Sequence, residues 1–130
     1  MTVVLLRHAS AGRRSDWEGD DRLRPLDCRG HVQAEALREV LLAHAVTRVL
    51  SSPYVRCTQT VAPLGLDVES DERLSEGASR LATVALLEEL DHAVACTHGD
   101  VIENVLGLPL KKGAAAVLDG LQVVEFVAAP

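Results

Sequence analysis

Two apolar runs, far apart in the chain, each end close to a histidine. Residues 3–6 are directly followed by Arg7 and His8, and residues 93–96 are followed after one residue by His98. In open α/β sheets, ligands bind at the carboxyl ends of the strands, so a histidine there is placed for chemistry rather than for packing. An imidazole with one free ring nitrogen is a good nucleophile near neutral pH.

A second arginine, Arg56, follows a third apolar run, and we expect it to reach the same sheet edge as Arg7, His8 and His98. Two guanidinium groups and two imidazoles together form an anion site. The planar fork of arginine makes paired hydrogen bonds to two oxygens and suits a phosphoryl group. The sequence therefore predicts a phosphoryl-binding site at this edge.

The sequence also bears on cofactors. It contains no glycine-rich Walker loop, which excludes a P-loop. The candidate ligands are interleaved with arginines, whose positive charge opposes a divalent cation, and no HxH or HExxH spacing is present. We therefore expect neither a metal nor another cofactor.

The elements that must position these groups alternate along the chain. Apolar runs predict buried strands, and segments with apolar residues at helical spacing predict helices between them. This alternation indicates a three-layer α/β/α sandwich with a mainly parallel sheet. Asp119-Gly120 is a strong hairpin signal and predicts an antiparallel hairpin at the sheet edge. The predicted strands are residues 2–6, 46–50, 66–69, 92–96, 114–118 and 121–127, and the predicted helices are residues 29–44, 53–63, 79–90 and 99–106.

Two of these helices carry start signals. Asp27 is predicted to cap the helix over residues 29–44. The next helix follows Ser51-Ser52-Pro53, which predicts a serine cap and a proline in the first turn. The apolar face of the first helix is predicted to consist of Val32, Ala36, Val40, and Leu41 or Ala43.

Length and charge limit the class of protein. The chain has 130 residues and is predicted to form one domain over residues 1–130. Its net charge of −6 and pI near 5.3 argue against a nucleic-acid or anionic membrane surface. Residues 1–30 nevertheless hold six arginines against five acids, whereas residues 31–130 hold seven bases against 14 acids. The sequence leaves the oligomeric state open.

The cysteines indicate a compartment. Cys28, Cys57 and Cys96 are odd in number and show no CxxC spacing. This pattern predicts reduced thiols in a cytoplasmic protein rather than a disulfide framework or a zinc site. No apolar stretch approaches the ~20 residues of a membrane span, so no membrane partner is expected.

Four segments stand in a characteristic order: Leu5-Leu6-Arg7-His8-Ala9, residues 21–30, Ser52-Pro53-Tyr54-Val55-Arg56-Cys57-Thr58-Gln59-Thr60, and Thr97-His98-Gly99. As a set they resemble the histidine phosphatase superfamily, in its phosphoglycerate-mutase-like form, and the resemblance covers nearly the whole chain. The Arg-Pro-Leu element at Arg24 is similar to the small branch that contains bacterial phosphohistidine phosphatases. Residues 20–33 are especially similar to histidine-phosphatase domains appended to Nudix hydrolases. Ala9 stands where the family signature has a glycine. An alanine would be strained here if the backbone had a positive φ.

The resemblance implies a role for each polar group at the sheet edge. His8 is implied to be the nucleophile that becomes a phosphohistidine, and Arg7, Arg56 and His98 are implied to bind the phosphoryl oxygens. Phosphoryl transfer depends mostly on positioning and on fixed positive charge around the equatorial oxygens, which such a set supplies.

Further residues complete the predicted site. Glu76, in the loop after a middle strand, is the candidate acid that protonates the leaving group and later acts as base on water. Arg14 lies about where many family members place an asparagine that helps to bind phosphate. The other predicted phosphate or substrate contacts are Ser10, Arg24 and Gly99.

The function implied is that of a metal-independent phosphatase acting through a phosphohistidine intermediate. Its substrate is expected to be a protein phosphohistidine or a small phosphorylated metabolite. A mutase is disfavoured because the short chain lacks the insertions that form a lid. Two alternatives stay open: a phosphate- or nucleotide-binding regulatory module with little turnover, and a hydrolase of terminal nucleotide phosphates, suggested by the arginine-rich residues 13–29.

Overall fold

Strands and helices alternate along the chain, which the computed structural model describes in full from Met1 to Pro130. Every predicted strand and helix is present, and short 3-10 turns lie in the connecting loops. The strands are β1 (Thr2–Arg7), β2 (Arg48–Ser51), β3 (Val68–Ser70), β4 (Ala93–Thr97), β5 (Ala115–Asp119) and β6 (Gln122–Val127). The helices are α1 (Cys28–Leu42), α2 (Val55–Val61), α3 (Arg80–Glu88) and α4 (Gly99–Leu106).

The strands form one six-stranded sheet in the order β3-β2-β4-β1-β5-β6. The first four strands of this order are mutually parallel, and β5 and β6 are added antiparallel. Asp119 pairs with Gln122, so the final hairpin turns at Gly120 and Leu121. Gly120 has the positive φ, 65°, that such a tight turn favours. The prediction of a mainly parallel sheet with an antiparallel edge hairpin is confirmed.

Helices cover both faces of the sheet. Val4 and Leu6 of β1 pack with α1 and α2, whereas Val3 and Leu5 pack with α3 and α4. A strand buried on both faces needs a continuous apolar run, which explains why β1 shows no alternation of polar and apolar residues. The predicted three-layer sandwich is therefore confirmed. None of its helices combines the length and the apolar character needed to cross a membrane.

Helix α1 begins as predicted but packs by a different face. The Asp27 side chain accepts the N–H of Gly30 and caps the helix. Val32 is 70% exposed and Val40 is 42% exposed, so the prediction is wrong for these two residues, whereas Leu41 is buried as predicted. The close approach of the first turn to the preceding loop accounts for the rotation, since a Cβ on Gly30 would lie 1.9 Å from the carbonyl oxygen of Ser10. The buried face consists of Gly30, Gln33, Ala34, Leu37 and Leu41.

Helix α2 begins later than predicted, and no serine caps it. Its first residue is Val55, and the N-cap residue Tyr54 makes no side-chain capping bond. The hydroxyl of Ser52 instead lies 2.8 Å from Nε2 of His98 and accepts the N–H of Tyr54. The serine is therefore used at the sheet edge rather than at the helix end.

The packing of α1 gives a test of the fold. Leu37→Ala should lower the free energy of unfolding by about 2–5 kcal/mol, because it removes a buried side chain from a packed core. Val32→Ala on the same helix should change it by less than about 0.5 kcal/mol, because that residue is exposed. Urea unfolding followed by circular dichroism measures both values, and a larger loss for the Val32 variant would contradict the observed packing.

Candidate active site

The pairing of β1 with β4 brings the two histidines together. These parallel neighbours place Arg7 opposite Thr97, so His8 and His98 leave the sheet side by side. The backbone N–H of His8 donates to the carbonyl of Thr97 at 3.1 Å. The two ring centroids are 5.4 Å apart, and both side chains are buried.

Arg56 reaches this edge from the other side of β4. Strand β2 also pairs with β4, and Arg56 lies in the first turn of α2, which follows β2. Together with the histidines it lines an open cleft of about 730 Å³ whose wall contains no hydrophobic residue. Eight of the predicted site residues line this cleft: Arg7, His8, Arg14, Arg24, Arg56, Glu76, His98 and Gly99.

One ring nitrogen of His8 is bound to the backbone. Nδ1 lies 2.8 Å from the carbonyl oxygen of Ala9, and because a carbonyl only accepts, Nδ1 carries the proton and Nε2 keeps its lone pair. The pKa of His8 is lowered to about 3, mainly by burial and further by the nearby His98, Arg56 and Arg7, while the bond to Ala9 acts in the opposite direction. The ring is therefore neutral, with Nε2 free to attack, around neutral pH.

Three buried nitrogen atoms of this cleft have no hydrogen-bond partner within the protein: Nε of Arg7, Nε of Arg56 and Nδ1 of His98. A buried polar group left unpaired costs about 1–3 kcal/mol, so such groups are rare and call for an explanation. All three belong to residues that the sequence predicted as phosphoryl ligands. Their gathering around His8 fits an anion that carries several acceptor oxygens.

Arg7 lies against the start of α4. Its Nη1 donates to the carbonyl of Leu110 at 2.6 Å, and a Cβ on Gly99 would lie only 2.8 Å from its Cζ. A larger residue at position 99 would therefore displace the guanidinium. Gly99 positions Arg7 in this structure, and its own contact with phosphate stays a prediction.

The carboxylate of Asp21 holds several of the arginines in place. Arg56 donates from Nη1 to the Asp21 carbonyl at 2.8 Å and from Nη2 to Oδ2 at 3.0 Å. Arg24 donates from Nε to Oδ1 at 2.8 Å and from Nη1 to the carbonyl of Ala11 at 2.7 Å. Burial works to raise the pKa of Asp21, but the bonds and charges of Arg24 and Arg56 lower it overall. Asp21 was not among the predicted site residues, and its one signal in the sequence is that it is an acid inside an arginine-dense loop.

Ser52 was also missed as a site residue because its motif predicted a helix cap. Its Oγ accepts the N–H of Tyr54 at 3.2 Å and lies 2.8 Å from Nε2 of His98. When the hydroxyl proton of Ser52 points at Nε2, the ring proton of His98 lies on Nδ1. Nδ1 is the atom of His98 without a partner, so this tautomer supplies a donor for an anion. The thiol of Cys57 lies 3.6 Å from the same Nε2.

Glu76 stands among cations in the cleft wall. Its Oε1 accepts a hydrogen bond from Nη2 of Arg14 at 2.5 Å, and Oε2 lies 3.8 Å from Nη2 of Arg56. The next residue in the loop, Gly77, donates its N–H to Asp100 of α4 at 2.8 Å. The hydrogen bond with Glu76 is the main cause of a raised pKa of Arg14. These contacts place a carboxylate on the same cleft as His8.

Two residues of the first motif have local roles. The hydroxyl of Ser10 donates to Oδ2 of Asp27 at 2.8 Å, and Ser10 borders a neighbouring cleft rather than the one that contains His8. Ala9 is not among the residues with positive φ, and its buried N–H donates to Oγ1 of Thr60 at 3.0 Å. The backbone therefore accommodates alanine in place of the family glycine.

Comparison with known proteins places this arrangement in a family. The model of the histidine phosphatase superfamily (branch 1) matches residues 3–79. The chain belongs to the histidine phosphatase superfamily. The family predicted from the four segments is confirmed. His98 lies beyond the matched residues, and the structure places it at the same sheet edge as His8.

Two solved phosphatases share the fold of this chain. The protein histidine phosphatase SixA, complexed with tungstate, has a TM-score of 0.79 at 21% identity over 98% of this chain and 97% of its own. A mycobacterial glucosyl-3-phosphoglycerate phosphatase, complexed with VO3, has a TM-score of 0.75 at 18% identity over 98% of this chain and 99% of its own. The phosphoglycerate-mutase-like α/β fold that was predicted is thus confirmed.

A relative with higher identity is the 8-oxo-(d)GTP phosphatase of Mycolicibacterium smegmatis (strain ATCC 700084 / mc(2)155). It is 40% identical over 116 residues, which cover 81% of this chain and 36% of the relative. The chain therefore spans little more than a third of that relative's length.

The environment of His8 predicts its titration. Because burial keeps its pKa near 3, the ring should remain neutral, and its Cε1 proton resonance should stay constant, between about pH 5 and about pH 8. Proton NMR in that range measures this, with His8→Gln used to assign the resonance. A titration midpoint near the ordinary histidine value of about 6.5 would contradict the buried environment.

Proposed function

We propose that this chain is a phosphatase that transfers a phosphoryl group first to Nε2 of His8 and then to water. Family membership supports phosphatase chemistry, as the sequence motifs predicted. The observation that carries the proposal is the set of partnerless buried nitrogens of Arg7, Arg56 and His98 around an imidazole whose Nδ1 is fixed as the donor. Donors fixed in place before the reaction stabilise the charge that develops on the equatorial oxygens.

The reaction proceeds in two displacements at phosphorus. In the first, the lone pair of His8 Nε2 forms a P–N bond while the bond from phosphorus to the leaving oxygen breaks. In the second, a water oxygen forms a bond to phosphorus, the P–N bond breaks, and its electron pair returns to Nε2. One water is consumed, and the products are the free alcohol and inorganic phosphate. For a phosphohistidine substrate, the bond broken first is P–N and the leaving group is an imidazole.

Glu76 is the proposed proton carrier for both displacements. It gives a proton to the leaving oxygen in the first and takes one from the attacking water in the second. Its placement on the cleft, held by Arg14, supports this role. An imidazole leaving group needs less help, so Glu76 matters most for alkyl esters.

The proposed substrate is a protein phosphohistidine or a small phosphorylated metabolite. A polar cleft open to solvent suits either, because neither requires a large apolar pocket. No metal is proposed to take part, since fixed guanidinium groups supply the positive charge. The three cysteines are free thiols, which agrees with the proposed cytoplasmic location.

A second candidate substrate is a nucleotide with a terminal phosphate. The relative that is 40% identical is an 8-oxo-(d)GTP phosphatase, and the arginine-rich loop supplies Arg13 and Arg14 to the cleft wall. A nucleotide would extend a phosphate chain along these cations. A panel of nucleotides and aryl phosphates separates this substrate from the simpler ones by comparison of kcat/KM.

Removal of His8 tests the proposed chemistry. His8→Ala should abolish phosphate release from 4-nitrophenyl phosphate and from a phosphohistidine peptide, while excess EDTA should leave the native rate unchanged. His31→Ala, which removes an exposed histidine of α1, is the matched control and should keep full activity. Phosphate binding by calorimetry without turnover in the native chain would favour the binding-module alternative, and turnover that persists in His8→Ala would contradict the proposal.

Removal of the Glu76 carboxylate tests the proton carrier. Glu76→Gln should lower kcat/KM for an alkyl phosphate by about 100-fold, because its leaving oxygen needs a proton. The loss for 4-nitrophenyl phosphate should be below about tenfold, because nitrophenolate is a stable anion. Glu103→Gln changes another acid of the same cleft wall and should affect neither substrate. Equal losses on both substrates would argue against proton transfer by Glu76.

A further inference from the structure

The positive charges of the chain are distributed unevenly between paired and unpaired positions. Of the 13 lysines and arginines, six have a carboxylate within 4.0 Å: Arg14, Arg22, Arg24, Arg48, Arg56 and Arg73. Seven therefore lack an acidic partner, and five of these line two neighbouring clefts: Arg7, Arg13, Arg29, Lys111 and Lys112. In an acidic protein, unpaired cations gathered at one place indicate an anionic ligand.

The second of these clefts adjoins the one that contains His8. It has a volume of about 510 Å³ and shares Arg7 and Lys112 with the first. Its own cations, Arg29 and Lys111, come from two different elements of the chain. Arg29 lies in the first turn of α1, and Lys111 lies in the loop between α4 and β5. The reaction as proposed above uses neither of them.

Hydrogen bonds fix the shape of this second cleft. The buried side chain of Gln33 accepts the N–H of Ser10 at 2.9 Å and donates to the carbonyl of Lys112 at 3.5 Å. Gln33, which also lines this cleft, thereby links the loop after β1 to the loop before β5. A Cβ on Gly113 would lie 3.3 Å from Nε2 of Gln33, so the loop packs closely on this amide. The backbone at Lys112 and Gly113 is therefore fixed against α1, while the side chains of Arg29 and Lys111 are exposed to solvent.

The cations also repel one another where the clefts meet. The pKa of Lys112 is lowered, first by burial and then by the charges of Arg7 and Arg24, with Asp27 acting in the opposite direction. Such repulsion destabilises the protein alone and is relieved by a bound anion. The crowding lies at the junction with the His8 cleft, so an anion bound there would lie next to the phosphoryl site proposed around His8.

We propose that the second cleft is a subsite for a further phosphate group of the substrate, bound by Arg29, Lys111 and Lys112 while another phosphate is attacked by His8. The proposal rests on the phosphatase function above and narrows its substrate class. The preferred substrate is a small molecule with at least two phosphate groups, joined as a chain or borne on separate oxygens. Arg7, on the wall of both clefts, lies between the two phosphates.

A double variant tests the subsite. Arg29→Gln with Lys111→Gln should leave turnover of 4-nitrophenyl phosphate unchanged, because this substrate has a single phosphate. Inhibition of that turnover by pyrophosphate or tripolyphosphate should be about tenfold weaker in the variant, since charge-assisted hydrogen bonds are lost. Inhibition by orthophosphate should not change. The matched control is Arg38→Gln with Arg80→Gln, which removes two exposed cations that line neither cleft.

The outcomes separate the subsite from the proposed reaction. Equal weakening of pyrophosphate and tripolyphosphate inhibition in the control variant would show a general charge effect and overturn the subsite. The subsite would also be overturned if pyrophosphate and tripolyphosphate inhibited the native chain no more strongly than orthophosphate does. If the reaction proposed for His8 fails, calorimetric titration of tripolyphosphate into the native chain and the double variant still measures the subsite, and equal affinities would refute it.

Discussion

The ion pair between Arg56 and Asp21 determines how the site is built. Arg56 is 1% exposed, and a buried guanidinium is tolerated only where an acid and further acceptors compensate its loss of hydration. Asp21 supplies both a carboxylate and a backbone carbonyl, but it lies in the loop after β1. The pairing therefore requires this loop to fold over the edge where β2 ends, and the loop brings Arg14 and Arg24 with it.

The ion pair with Asp21 leaves one nitrogen of Arg56 without a partner in the protein. Asp21 binds the two terminal nitrogens, and Nε has no partner in the protein. Burial of these side chains has two effects. It keeps His8 neutral, because burial disfavours the imidazolium, and it strengthens hydrogen bonds from the fixed donors to an anion. One physical condition thus favours both the proposed nucleophile and the proposed phosphoryl ligands.

Local sequence determined much of this protein by itself. The uninterrupted apolar run of β1 specified a strand buried on both faces, and the turn at Gly120 specified the hairpin. The polar residues at or after the carboxyl ends of β1, β2 and β4 predicted that His8, Arg7, Arg56 and His98 lie together, because parallel strands present their carboxyl ends at one edge. These inferences needed only the spacing of residues and the order of elements.

Other features depended on the tertiary structure, because contacts between distant segments overrode local preference. Gly30 must face Ser10, so α1 turned the Leu37 side rather than the Val32 side to the core. Ser52 has the local signature of a helix cap, yet its hydroxyl pairs with the ring of His98, which is distant in sequence. In the sequence, Asp21 is one acid among several in a loop. Only the fold shows that it pairs with the buried Arg56. The sequence specified which groups meet at the sheet edge, whereas only the folded chain decided their partners, because partner choice depends on burial and distance between segments far apart in the chain.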